Sequence, residues 1–157
     1  MNVREFSQQD LPTIVTIQSQ CPSTAQWSEG DYLRLAAEPG GMILVAESTN
    51  LASPTLLGFA AIHRVMDEAE LRNMAVAPES RRQGVGRALL DAAAMRLLAA
   101  RVERIFLEVR ASNHTARELY RSVGFTVRSM RKDYYHHPTE DALVMEMQIQ
   151  TTPSSAP

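Results

Sequence analysis

The chain has 157 residues, 45% of them hydrophobic and 22% charged, with a formal net charge of −2 at pH 7. That length suits one domain with a sizeable core, the composition is ordinary for a soluble globular protein, and the charge provides no global attraction to nucleic acid or membrane. A lone cysteine, Cys21, excludes an intrachain disulfide; with a polar opening and no apolar run near the ~20 residues a bilayer requires, a cytoplasmic protein is expected.

Val3 to Phe6 suits a short strand, and Ser7 or Asp10 can cap a helix running to about Gln20, with Pro12 tolerated in its first turns. PSTAQW breaks the chain, and SEGD at 28–31 reads as a capping box for a second helix carrying Tyr32, Leu33 and Leu35. After the Pro-Gly-Gly at 39–41 come MILVAE and LLGFAAIH, strand-like runs joined by the polar STNLASPT and therefore expected to form an antiparallel hairpin. AELRNMAV predicts a third strand, closed by Pro78.

Arg87 to Arg101 is a strong helix former, with Leu90, Ala94, Leu97 and Leu98 expected on one face. RIFLEVR at 104–110 alternates as a strand, placing Ile105, Leu107 and Val109 on one side and Phe106, Glu108 and Arg110 on the other. Ser112 or Asn113 caps a short helix that Gly124 ends, with Phe125 just beyond. TVRSMRKDYY and ALVMEMQI are the last strands, and TTPSSAP at 151–157 reads as a disordered tail behind a single domain over 1–150. The order is β-α-α-β-β-β-α-β-α-β-β. Strand 71–76, helix 87–101 and strand 104–110 form a βαβ unit with parallel strands, and the flanking hairpins imply a mixed sheet.

Within that unit, RRQGVGR sets Gly84 and Gly86 between a strand and a helix start. The first helical N–H groups have no partners of their own and the helix dipole adds positive character there, so such a turn can hold an anion. Glycines permit positive φ and close backbone approach, while Arg82 and Arg87 can add charge-assisted contacts. A plain tight turn with solvated arginines accounts for the same residues. Two phosphate loops fail: Gly86 is followed by Arg87 and Ala88 rather than Lys-Ser/Thr, and Leu89 stands where a dinucleotide fingerprint needs its third glycine.

RRQGVG, with Arg81, Gly84 and Gly86 at the spacing Gln/Arg-x-x-Gly-x-Gly/Ala, resembles the acetyl-CoA pyrophosphate loop of the GNAT N-acetyltransferase superfamily. QWSEGDY, DEAELRNMAVAPESRRQGVGRALL, FLEVRASNHTARELYRSVGF and RKDYY…EDALVMEM extend the likeness over about residues 26 to 147, toward the branch that acetylates ribosomal-protein N-termini. The resemblance implies an α/β fold of GNAT type: a mostly antiparallel mixed sheet with a central parallel βαβ unit and flanking helices. It implies acetyl-CoA as cosubstrate, with no metal. Met74, Ala75 and Val76 would offer main-chain groups to the pantetheine arm; Arg82, Gln83, Gly84, Val85, Gly86 and Arg87 would cradle the pyrophosphate; Asn113 would contact CoA. Glu108 would be the general base and Tyr120 the general acid. Trp27, Tyr134 and Tyr135 fall in segments near the family's peptide groove, although by themselves such aromatics read as core or lid. The expected partner is a peptide with a free N-terminus, the N-terminal alanine of small-subunit ribosomal protein eighteen first, with no nucleic acid or membrane. Where family members often read YYP…GRED, this chain has the shorter YYHHPTED. His136 and His137 lack further spaced ligands for a metal.

Acyl transfer to an amine needs a neutral nucleophile. An ordinary Glu titrates near ~4.3 and an α-ammonium near ~7.7–8.0, so that proton transfer is uphill by about 5 kcal/mol; a lysine would add about 3.5 kcal/mol more. The difference favours an N-terminal amine. Other readings are a family member acting on another N-terminus or a small amine, and a CoA-binding regulator without catalysis, against which the intact Glu108 and Tyr120 argue.

Overall fold

The computed structural model describes residues 1–50 and 52–149, so the tail expected at 151–157 lies outside the described residues. In chain order the elements are β1 (Asn2–Glu5), α1 (Leu11–Ser19), α2 (Glu29–Ala37), β2 (Gly41–Glu47), β3 (Leu56–Val65), β4 (Glu68–Val76), α3 (Val85–Ala99), β5 (Arg104–Arg110), α4 (His114–Val123), β6 (Thr126–Tyr135) and β7 (Glu140–Gln148), with short 3-10 turns at Gln8–Asp10 and Pro78–Ser80. They follow the expected order. One seven-stranded sheet runs β1-β2-β3-β4-β5-β7-β6. Among the described residues only β4 and β5 pair in parallel; the other neighbours are antiparallel.

Local chemistry explains the boundaries. Ser28 accepts from the Asp31 N–H at 3.1 Å while Asp31 accepts from the Ser28 N–H at 2.8 Å, closing the capping box that starts α2. Asn113 rather than Ser112 caps α4, its Oδ1 accepting from Ala116 N at 3.2 Å. Gly124 ends that helix at φ 123°, and Phe125 turns back into the core. Two expectations shift. Helix α3 starts at Val85, so Gly86 lies within its first turn. Its buried stripe is Val85, Gly86, Leu89, Leu90, Ala93 and Leu97, with Ala94 and Leu98 at the margin, because the helix axis points its 85–89–93–97 row at the sheet.

Helices α1 and α2 cover one face of the sheet over Ile43, Val45, Phe59, Ala61, Ala75 and Ala77. Helices α3 and α4 cover the other over Leu44, Ala60, Ile62, Leu71, Leu107 and Met145. The first pair stops at β4. Beyond it the same face of β5, β7 and β6 carries the polar side chains of the site. Among the described residues no helix is long and apolar enough to cross a membrane.

Candidate active site

The site begins with a fault in the sheet. Along β4 the partner of Ala61 is Asn73 but the partner of Ile62 is Leu71, so Arg72 is an extra residue. Such a bulge bends and twists its strand. Parallel pairing between β4 and β5 covers only Glu68↔Arg104 through Leu71↔Leu107. Past that point β4 continues to Val76 and β5 to Arg110 without pairing to each other, and a gap opens in the middle of the sheet.

Backbone parity decides what lines that gap. Ala77 N donates to Leu57 O at 2.8 Å, which makes 77/57, and hence 75/59, the hydrogen-bonded pairs of the β3–β4 ladder. Met74 and Val76 therefore direct their N–H and C=O groups away from β3, toward the gap. Their carbonyls are approached at 3.5 Å by the Thr24 hydroxyl and the Cys21 thiol. Unpaired strand edges of this kind accept an added strand-like ligand.

At the gap's end lies the glycine turn. Gly84 takes φ 79° and Arg82 takes φ 60°. A Cβ on Gly84 would meet nothing within 4 Å, so glycine is required there by the backbone angle rather than by space. Gly86 is the reverse case: a Cβ would lie 2.7 Å from Leu119 Cδ2, so its bareness lets α3 and α4 close on each other. Arg82, Gln83 and Arg87 are exposed around the open N–H groups that begin α3. Arg81 turns away, its guanidinium donating to Cys21 Sγ at 3.4 Å.

Glu108 and Tyr120 stand on opposite faces of the sheet. Alternation along β5 buries Leu107 and Val109 under α3 and α4, so Glu108 faces the other way, half-buried. Its carboxylate is 3.4 Å from Arg131 Nε. Tyr120 is buried on α4 against the Phe125 ring, with centroids 5.7 Å apart. Burial, and secondarily the nearby Tyr135, hold its phenol above the usual range. Tyr135 links the two: burial and then the Glu108 charge push its phenol up to about 12, against the opposing Arg110. The Arg110 guanidinium lies 4.3 Å over the Tyr135 ring and 3.5 Å from Glu140, which also accepts from Ser112 N at 2.6 Å.

Tyr134 reaches Glu108 by a strand irregularity. Arg131 pairs with Ala142 and Tyr135 with Glu140, so β6 carries extra residues between them. Asp133 takes φ 51° there, its N–H bound to Asp141 Oδ1 at 2.9 Å. The Glu108 carboxylate beside it, and then burial, hold the Tyr134 phenol above its ordinary range. The Arg131 guanidinium lies 5.4 Å over the Tyr134 ring.

Trp27 sits apart from this cluster. It packs on Tyr32, with ring centroids 5.0 Å apart, and edges an open groove of about 320 Å3 between α2 and β4, with Leu35 and Arg72 on its walls. Asn113 is engaged in capping. The residues missed from the sequence are those that hold the site's shape. Asn73 Nδ2 donates to Tyr32 Oη at 2.9 Å and to Ala25 O at 3.0 Å; Tyr32 donates to Gln18, whose Nε2 holds Trp27 O at 2.7 Å. This buried network ties the 21–27 loop to the bulged strand. A polar residue in the otherwise apolar rhythm of AELRNMAV is the one signal that pointed to it. Arg131 had no such signal.

Comparison with known proteins places this geometry. The family model described as "Acetyltransferase (GNAT) family" matches residues 11–125. The chain is 38% identical over 144 residues to the [ribosomal protein bS18]-alanine N-acetyltransferase of Escherichia coli K12, covering 89% of this chain and 92% of that one. Among solved structures, the ribosomal-protein-S18-alanine N-acetyltransferase from Escherichia coli superposes with a TM-score of 0.82 at 31% identity, covering 98% and 97% of the two chains. Chaetomium thermophilum Naa20, in complex with a bisubstrate analogue, superposes with a TM-score of 0.79 at 28% identity, covering 95% and 87%.

Proposed function

The chain belongs to the acetyltransferase (GNAT) family, and on that premise we propose that it transfers acetyl from acetyl-CoA to the N-terminal alanine of ribosomal protein bS18, as a single catalytic domain over residues 1–150 in the cytoplasm. The observation that carries this reading is the gap between β4 and β5, with Glu108 and Tyr120 on opposite faces of the sheet and Tyr135 sensing the first and sensed by the second.

The cosubstrate fits the residues present. Met74 and Val76 offer the main-chain groups that face the gap to a strand-like amide arm, while those of Ala75 between them pair with Phe59 of β3. The turn from Arg82 through Gln83, Gly84, Val85 and Gly86 to Arg87 offers unpartnered N–H groups and two exposed guanidinium groups to a pyrophosphate. Asn113 keeps its Nδ2 for CoA while its Oδ1 caps α4. Acetyl-CoA supplies an activated acyl carbon and a thiolate leaving group.

From the opposite face the acceptor ammonium meets Glu108, which takes one proton and leaves a neutral amine. The nitrogen lone pair forms the new C–N bond at the thioester carbonyl, and the C–S bond breaks. The departing sulfur meets the Tyr120 hydroxyl. Because burial keeps that phenol protonated, it serves as a hydrogen-bond donor to developing thiolate charge before any full proton transfer. Glu108 passes the ammonium proton on to solvent, and the proton lost from the new amide nitrogen then leaves by the same route. Tyr134, Tyr135 and Trp27 border the acceptor's approach.

The test is CoA release with three acceptors: a peptide bearing the free N-terminus of the organism's own bS18, its N-terminally blocked copy, and a blocked peptide containing lysine. Turnover with the first alone is expected. Activity that ignores the block, or none despite CoA binding, overturns the reading in favour of a small-amine acceptor or a regulatory CoA-binding domain.

A further inference from the structure

We infer that Arg131 occupies, in the free enzyme, the position that the acceptor's α-ammonium takes on Glu108, so that the acceptor binds by displacing it. The inference rests on the reading of Glu108 as the base. Three observations carry it.

The first is the pair itself. Arg131 Nε lies 3.4 Å from Glu108 Oε1, and Arg131 is far the more exposed partner, its side chain 57% accessible against 23% for Glu108. The carboxylate is fixed by its strand and the guanidinium is the end that can leave. The second is where the arginine goes. Tyr134 offers its ring face 5.4 Å from the guanidinium, so a cation leaving the carboxylate keeps a partner. The third is the surroundings of Glu108. From β4 the neighbouring charges are Glu70 and Arg72, a mutually paired couple 3.7 Å apart. On β5 Arg110 is committed to Glu140 and to the Tyr135 ring. Across the strand pair β7 presents Val144 and, two residues on, Glu146, which Arg104 and Arg128 hold at 3.7 and 2.8 Å. From β6 come Arg131 and the two phenols Tyr134 and Tyr135. Among the described residues Arg131 is thus the one cation within ion-pair distance of Glu108, and a second cation arriving at the same oxygen competes with it.

This arrangement solves a problem of specificity. A half-buried carboxylate without a counterion would attract any amine; with Arg131 in place an entering cation must bring further contacts of its own, which a peptide provides through its backbone. Discrimination then arises from competition at one carboxylate.

The experiment compares wild type, Arg131→Gln and Arg131→Lys with the free bS18 N-terminal peptide as substrate and its N-terminally blocked copy as competitive inhibitor. In Arg131→Gln the KM for the free peptide should fall about threefold, the scale of a partly exposed ion pair. The inhibition constant of the blocked peptide and the KM for acetyl-CoA should stay unchanged. Arg131→Lys should restore the wild-type KM. A KM for the free peptide that rises or stays level overturns the inference. Glu108→Gln separates the two levels: full turnover in that variant overturns the reading of Glu108 as the base, whereas lost turnover with an unresponsive Arg131→Gln overturns the displacement alone.

Discussion

Leu71 and Asn73 are two residues apart on one strand yet point to opposite faces of the sheet. Leu71 packs beneath α3 and α4, while the Asn73 amide binds Tyr32 and Ala25 beside α1 and α2. In a regular strand residues i and i+2 share a face. The extra residue, Arg72, breaks that rule, and it does so where β4 parts from β5. One inserted residue thus opens the gap and turns Met74 and Val76 to line it.

Asn73→Ala tests how much the network at this bulge matters. It leaves the buried Tyr32 hydroxyl, the Gln18 carbonyl and Ala25 O short of a donor, and should cost about 1–3 kcal/mol of stability in urea unfolding. The 21–27 loop is freed at the same time, so KM for the acceptor should rise more than KM for acetyl-CoA. Unchanged stability would show that water replaces the amide without loss.

Tyr120→Phe keeps the ring against Phe125 and removes only the hydroxyl. Turnover should fall by about 100-fold, the scale of one lost donor to a developing anion, with CoA affinity within about twofold. Because its phenol is held above the ordinary range, Tyr120 should add no basic limb to the wild-type rate profile below about pH 10. Wild-type turnover in the variant would remove Tyr120 from the mechanism.

The two glycines of the turn should respond differently to alanine. At Gly84, with φ 79° and no steric conflict, alanine costs about 1–2 kcal/mol in backbone strain and distorts the anion turn, raising KM for acetyl-CoA several-fold. At Gly86 the methyl group presses on the end of the Leu119 side chain, so the effect should appear as a change in thermal stability through α3–α4 packing. Equal effects of both on KM would contradict this division.

Away from the site, Asp10 holds Arg4 by two bonds of 2.8 and 3.1 Å and accepts from Ser7 N at 2.7 Å. The Arg4 bond comes first among the causes that hold its carboxyl below the ordinary range. A depressed folded value stabilises above the unfolded one, near ~3.9, and that contribution disappears as pH falls through the folded value. Asp10→Asn should therefore cost about 1–2 kcal/mol at pH 7, with the difference shrinking as pH falls below the unfolded value near ~3.9. A gap that persisted in acid would assign the loss to something other than the charge.

Much of this protein was legible without its tertiary structure, because it rests on local physics. Capping at Ser28 and Asn113, the glycine stop at 124, the alternation of RIFLEVR and the helix after the glycine turn all depend on residues within a few positions of one another. The motif around Gly84 depends on backbone angles that short-range sterics impose. What only the folded chain decided comes from residues far apart. The bulge at Arg72 exists only against the register of β3, and the gap exists only because β5 does not follow β4 past Leu71. The pairing of Glu108 with Arg131 spans a helix and a strand irregularity that no local pattern encodes. Sequence determines each element through interactions along the chain; which side chains share a site is decided by strand pairing across it, where one extra residue reverses every face that follows.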